Sequence, residues 1–196
     1  MPFSTRTGAD RTRMGAAMGM EETALLEHRI LFLAGEVNAQ SANRIISQLL
    51  LLDAQDPTTP IDLYINSSGG SVGDGLAIID TMMCIRAPVS TLCIGQAMSM
   101  GARILAAGAR GKRFATPNAE IMLHLMQVGL QGDSVDIQIN AQRIARQQAR
   151  MIDMLAQWTG QTPERIREDI DRDFFMTAEE AKAYGLIDEV LEAYDK

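Results

Sequence analysis

The chain has 196 residues, 46% hydrophobic and 22% charged, enough for one domain with a sizeable core or at most two small ones. A formal charge of -7 and no Lys/Arg cluster exclude the basic face of a nucleic-acid binder. No apolar run approaches the roughly 18 residues of a membrane span, and the first residues hold no signal-type hydrophobic region. Cys84 and Cys93 stand in apolar surroundings at the spacing of neither a zinc pair nor a redox CxxC motif, so buried thiols in a reducing, cytoplasmic compartment are expected, with no disulfide framework and no metal.

Residues 1–20, MPFSTRTGADRTRMGAAMGM, are rich in Gly, Thr, Arg and Met without a period and predict a mobile arm; residues 21–196 read as a single domain. RILFL at 29–33 predicts a strand. Asn38 then caps a helix with Ala42, Ile45, Leu49 and Leu52 on one side. The unit recurs: IDLYIN at 61–66 leads through SSGG into a helix carrying Val72, Leu76, Ile79 and Met83, and PVSTLCIG at 88–95 leads into a helix after Ser99. Successive strand-to-helix units predict right-handed crossovers and a largely parallel sheet. GKRFA and AEIMLHLM predict two more strands. Residues 134–158 then hold a helical pattern in Ile137, Ala141, Ile144, Gln148, Met151, Ile152 and Leu155, with Asp133 or Ser134 to cap it and Gly160 to close it. That is long for a core helix, so its stripe is expected to meet a neighbouring subunit. Thr177 and Glu180 form a capping-box pair for a helix ending near Gly185, and LIDEVLEAY finishes the chain.

The chemistry-bearing residues are few. Of two histidines, His28 lies among charged neighbours and is expected to face solvent. His124 lies within IMLHLM, where an imidazole needs a partner; it is either a satisfied core histidine or a base. Ser99, in GQAMSMGA, is either a helix N-cap or a nucleophile at a strand-to-helix turn, although Ala97 replaces the first glycine of a G-x-S-x-G elbow. Gly69 and Gly70 let backbone approach a substrate closely, and the helix start after Ser99 offers amides suited to an oxyanion. Neither NSSGGSVGDG nor GARGKRF completes a P-loop, so no nucleotide is expected.

The ordered segments LFLAGEVN, INSSGGSV, GQAMSMGA, the histidine strand, the helix ending in WTGQ, and DRDFFMTAEEAKAYGLID together resemble the ClpP family, the proteolytic subunits of the Clp protease, from about Leu25 to Leu191. The resemblance implies an α/β fold, a ClpP/crotonase-like spiral of βαβ units with a long protruding handle helix. It implies a serine endopeptidase with Ser99 as nucleophile, His124 as base, Asp173 as the residue orienting the histidine, and the backbone amides of Gly70 and Met100 as oxyanion donors. Gly69, Leu125 and Met126 would line the substrate path, and Arg172 would bond across the contact between rings. It further implies two stacked seven-membered rings, alone or mixed with a paralogous subunit, an AAA+ unfoldase of the Clp type as partner, unfolded polypeptides as substrates, and no cofactor. Alternatives are a weakly active or regulatory barrel subunit, and an acyl-CoA enzyme of the crotonase type, which shares the spiral design without a serine triad. The chain departs from the usual pattern at Ser68, at Met98, at Leu125-Met126 in place of HQP's last two residues, and at Cys84 in the ATPase-docking pocket, where Tyr64 is retained.

Overall fold

The computed structural model describes residues 19–127 and 132–192. Helix α1 (Met20–Glu27) precedes β1 (Ile30–Val37), α2 (Ala39–Gln55), β2 (Ile61–Gly70), α3 (Val72–Cys84), β3 (Val89–Met98) and α4 (Met100–Ala106). Short strands β4 (Arg113–Ala115) and β5 (Glu120–Leu123) follow. The long helix α5 (Ser134–Thr159), α6 (Pro163–Asp169), β6 (Phe174–Thr177), α7 (Ala178–Tyr184) and β7 (Glu189–Val190) complete the order. Of the arm expected over residues 1–20, residues 1–18 lie outside the described residues.

The strand-to-helix repeat builds the core. In β2, Ile61, Leu63 and Ile65 are fully buried while Asp62 and Tyr64 between them are half-buried, the period-2 pattern of a pleated strand. Each such side chain contributes about 1.5–3 kcal/mol by leaving water. Strands β1, β2 and β3 pair in parallel in chain order, β4 and β7 continue from β3, and β5 also joins β3 in parallel. Among the described residues the one antiparallel pairing is β5 with β6. Strand β3 therefore forks: Thr91 to Cys93 pair with β4, Gln96 to Met98 with β5. The second half of the fork carries the site.

Local chemistry sets the helix ends. Asn38 accepts from the amides of Gln40 and Ser41 at 3.0 Å while Ser41 Oγ accepts from Asn38 N–H, closing the start of α2 as a capping box. Thr177 and Glu180 do the same for α7, and Gly160 ends α5 in the left-handed conformation. At the far end of α2, Arg29 donates to the carbonyls of Leu52, Asp56, Thr59 and Pro60, tying the last turn of the helix to the loop that follows it.

Four expectations need correction. Helix α3 buries Gly75, Ile78, Ile79 and Met82, not the face of Val72, Leu76 and Met83; Met83 is 61% exposed. Gly75 lies on the buried face, and a Cβ there would stand 2.2 Å from Met100 Cγ, so the missing side chain lets Met100 pack against that face. Cys84 is exposed, and only Cys93 is buried. Strand β5 stops at Leu123, one residue before His124. Finally, α1, α6, β6 and β7, which lie in stretches too short for a period to show, are elements that patterning did not predict, and Met20, expected in the arm, opens α1. In α5 only Met151, Ile152 and Leu155 are buried; Val135, Ile137 and Ile139 are 61%, 39% and 58% exposed. No helix among the described residues is long and apolar enough to cross a membrane.

Candidate active site

Strands β2, β3 and β5 are parallel and β6 runs against β5, so the last residues of the first three and the first of the fourth lie at one end of the sheet. Ser99 is the residue after β3, His124 the residue after β5, and Asp173 the residue before β6. The β5–β6 register pairs Leu123 with Phe174; one more step sets His124 opposite Asp173. Gly69 and Gly70 end β2 beside β3, Gly70 in register with Val37 of β1. Ligands in parallel sheets gather at these carboxyl ends.

Ser99 adopts φ 54° and ψ −112°, a left-handed backbone rare for a residue with a Cβ and costing on the order of 1–3 kcal/mol. It persists because both flanks are fixed: Ser99 N–H donates to Met122 O at 2.7 Å, and Met100 and Ala97 beside it are buried. The Ser99 side chain makes no capping hydrogen bond to α4, leaving its hydroxyl available. Gly69 is shaped to this turn. A Cβ there would fall 2.7 Å from Met98 O, 2.7 Å from Ser99 Cβ and 3.0 Å from Met100 N, so only glycine brings β2 against the serine and the first amide of α4.

His124 is half-buried. Burial, then the charge of Arg103, push its pKa below the ordinary 6.5, against the opposing pull of Asp173. Its Nδ1 is buried with no hydrogen-bond partner among the described residues, and neither a Ser99–His124 nor a His124–Asp173 hydrogen bond is formed. Asp173 is exposed, as is Arg172, whose side chain is 95% exposed with Nε 3.9 Å from Asp171. Leu125 N–H donates to Ile170 O at 3.0 Å and Met126 N–H to Gln148 Oε1 at 2.9 Å, so both amides are already engaged. His28 is exposed, as its neighbours predict, and stands on α1's C-cap.

The sequence names Ser99, His124, Asp173, Gly69, Gly70, Met100, Leu125 and Met126 for the site but gives no role there to two residues that touch them, Arg103 and Gln148. Arg103 donates to His124 O at 2.8 Å. A lone cation within the apolar and small-residue run MGARILAA was the signal available. The arrangement can present a hydroxyl, a neutral imidazole, a carboxylate and backbone amides to a carbonyl group. The family model described as Clp protease matches residues 15–194 of the 196.

Proposed function

The chain belongs to the Clp protease family, a family of peptidases, and from that premise we propose that it is a serine endopeptidase working through Ser99, His124 and Asp173. The observation that carries the reading is the meeting of the three residues at adjacent strand ends, with the serine on a strained turn. Neutral His124 takes the Ser99 proton as Oγ attacks a peptide carbonyl. The amides of Met100 and Gly70 receive the oxyanion, and the imidazolium, oriented by Asp173, passes its proton to the leaving amine. Water activated by His124 then cleaves the acyl-enzyme and restores the serine hydroxyl. Gly69, Leu125 and Met126 flank the acyl chain.

The exposed apolar side chains at the start of α5 support assembly, since Val135, Ile137 and Ile139 have no cover among the described residues. In the proposed particle two seven-membered rings stack through α5 with Arg172 at their contact, enclosing the sites. A Clp-type AAA+ unfoldase delivers unfolded polypeptide in the cytoplasm. The unpartnered Nδ1 of His124 favours a second reading, a weakly active subunit that needs a paralogue beside it to close the triad.

Labelling of the assembled protein with a fluorophosphonate, followed by peptide mapping, separates these. The expected result is one adduct, on Ser99, with Ser99→Ala losing on the order of a million-fold in peptidase rate while still assembling. An unlabelled Ser99 in an intact particle would support the regulatory reading. Residual Ser99→Ala activity within about tenfold of wild type would contradict the nucleophile assignment, since a triad member removed costs far more.

A further inference from the structure

Arg103 is the polar residue of this region that the proposed chemistry leaves without a task. It lies within α4, 3% exposed, and no carboxylate among the described residues pairs with it. Its Nε is buried without a hydrogen-bond partner, and burial brings its guanidinium down to about 10. An uncompensated buried cation is expensive, and an apolar side chain of similar volume would pack α4 against the sheet without that cost. Packing alone does not account for an arginine here.

Its bonds do. The Arg103 backbone N–H makes the ordinary helical bond to Ser99 O at 3.3 Å, which any non-proline residue at this position would make; what the arginine adds is Nη2, which donates to the carbonyl of His124 at 2.8 Å. The side chain thus ties the histidine's backbone to the helix that opens at Ser99. The next two residues are tied elsewhere, Leu125 to Ile170 at the end of α6 and Met126 to Gln148 on α5. The side chain of Arg103 is therefore the direct strut between the histidine and the serine's helix. Among the described residues the charged groups that act on His124 are Arg103, from α4, which opposes protonation, and Asp173, from the turn before β6, which favours it; α5 presents the uncharged Gln148 to the adjoining backbone.

We infer that Arg103 is a positioning residue for peptide hydrolysis, its guanidinium fixing the His124 backbone to the helix that carries Ser99 and setting a positive charge beside the imidazole. The inference rests on the proposed role of His124 as base. Its chemical use lies in the second proton transfer: an imidazolium formed beside a fixed cation is a stronger acid, and gives the proton taken from Ser99 more readily to the leaving amine.

The test is the pH profile of kcat/KM on a short peptide, from about pH 5 to 8, for wild type, Arg103→Gln and Arg103→Lys, with assembly checked by sedimentation. Wild type should lose activity only as pH falls below the ordinary histidine value of 6.5, because the base must be neutral. Arg103→Gln removes the charge, so the acid limb should move up by about half a pH unit, with kcat lowered about tenfold and KM within about twofold. Arg103→Lys keeps the charge but not the planar fork; its limb should stay in place while kcat falls between the other two. A general loss of structure would lower rates without moving the limb. A wild-type limb that Arg103→Gln leaves in place overturns the inference alone. A wild-type profile with no acid limb overturns the His124 reading, and the inference with it. Should Arg103→Gln fail to assemble, Arg103→Lys decides: a displaced limb, or an undiminished kcat, contradicts the account.

Discussion

The two sides of the site are held by different means. Ser99 is set by the core: Met100 after it and Ala97 two residues before it are buried, its amide is bonded to Met122, and Gly69 closes against its Cβ. His124 and Asp173 lie beyond the last rung of the β5–β6 pair, the aspartate exposed and the histidine's Nδ1 unpartnered. The nucleophile is thus fixed by the fold itself, whereas the backbone of the base is held by one side-chain bond from Arg103 and the carboxylate of Asp173 makes no side-chain hydrogen bond among the described residues. Strain can be stored only where packing over-determines the backbone, and mobility is affordable only where it does not. On the proposed reading, assembly supplies the missing constraint on the second side.

Short of removing Ser99 or His124 outright, the largest effect should come from breaking the marginal side chemically. Asp173→Asn keeps size and exposure but removes the charge that favours imidazolium and, in the closed triad, offers an amide N–H that can donate to Nδ1 and select the wrong tautomer; kcat should fall on the order of ten-thousandfold. Steady-state kinetics checks this, and a loss below about tenfold would mean that Asp173 does not orient the base. Breaking the core side comes next. Gly69→Ala puts a Cβ 2.7 Å from both Met98 O and Ser99 Cβ at a φ of +90°, so the serine must shift. A displacement of about 1 Å costs on the order of a hundredfold in kcat, and the strain should lower stability by about 1–3 kcal/mol in thermal unfolding. Wild-type kinetics for this variant would show that the turn is not tight.

The smallest effect on the subunit, and the sharpest on the comparison, belongs to Arg172→Ala. Its side chain is 95% exposed, so stability of the isolated subunit should change by less than about 0.5 kcal/mol. In the proposed double ring each lost contact costs about 2–5 kcal/mol, repeated by symmetry. Sedimentation velocity and peptidase assays on one sample should show rings separating and activity falling together. Separated rings with full activity would show that the marginal side closes without a partner.

Legibility in the sequence followed the same division. Residues of the strand–helix repeat were readable because burial there is periodic: Ala42, Ile45, Leu49 and Leu52 fall on one helix face, and Asn38, Thr177, Gly160 and Gly185 mark helix ends by their own chemistry. Ser99 was readable as a turn residue, though its positive φ was not, because that conformation is imposed by β5 through Met122. The meeting of His124 with Asp173 depends on β6, a four-residue strand whose pairing is a tertiary fact with no local signal. Arg103 hides for a related reason: an arginine on a short helix reads as surface until the sheet it packs against is known. Met83 misled because spacing by three and four fits two adjacent faces, and the buried one is that of Gly75, against which Met100 packs.

The central claim is that Ser99 and His124 act as one unit although they are held so differently. The direct measurement is a double-mutant cycle in single-turnover peptide cleavage, comparing Ser99→Ala, His124→Ala and the pair, each confirmed as assembled. A working unit is lost whole when either member is removed, so the double variant should be no slower than the slower single one, all on the order of a million-fold below wild type. Losses that multiply across the cycle would mean that the two residues contribute independently, and would contradict the account.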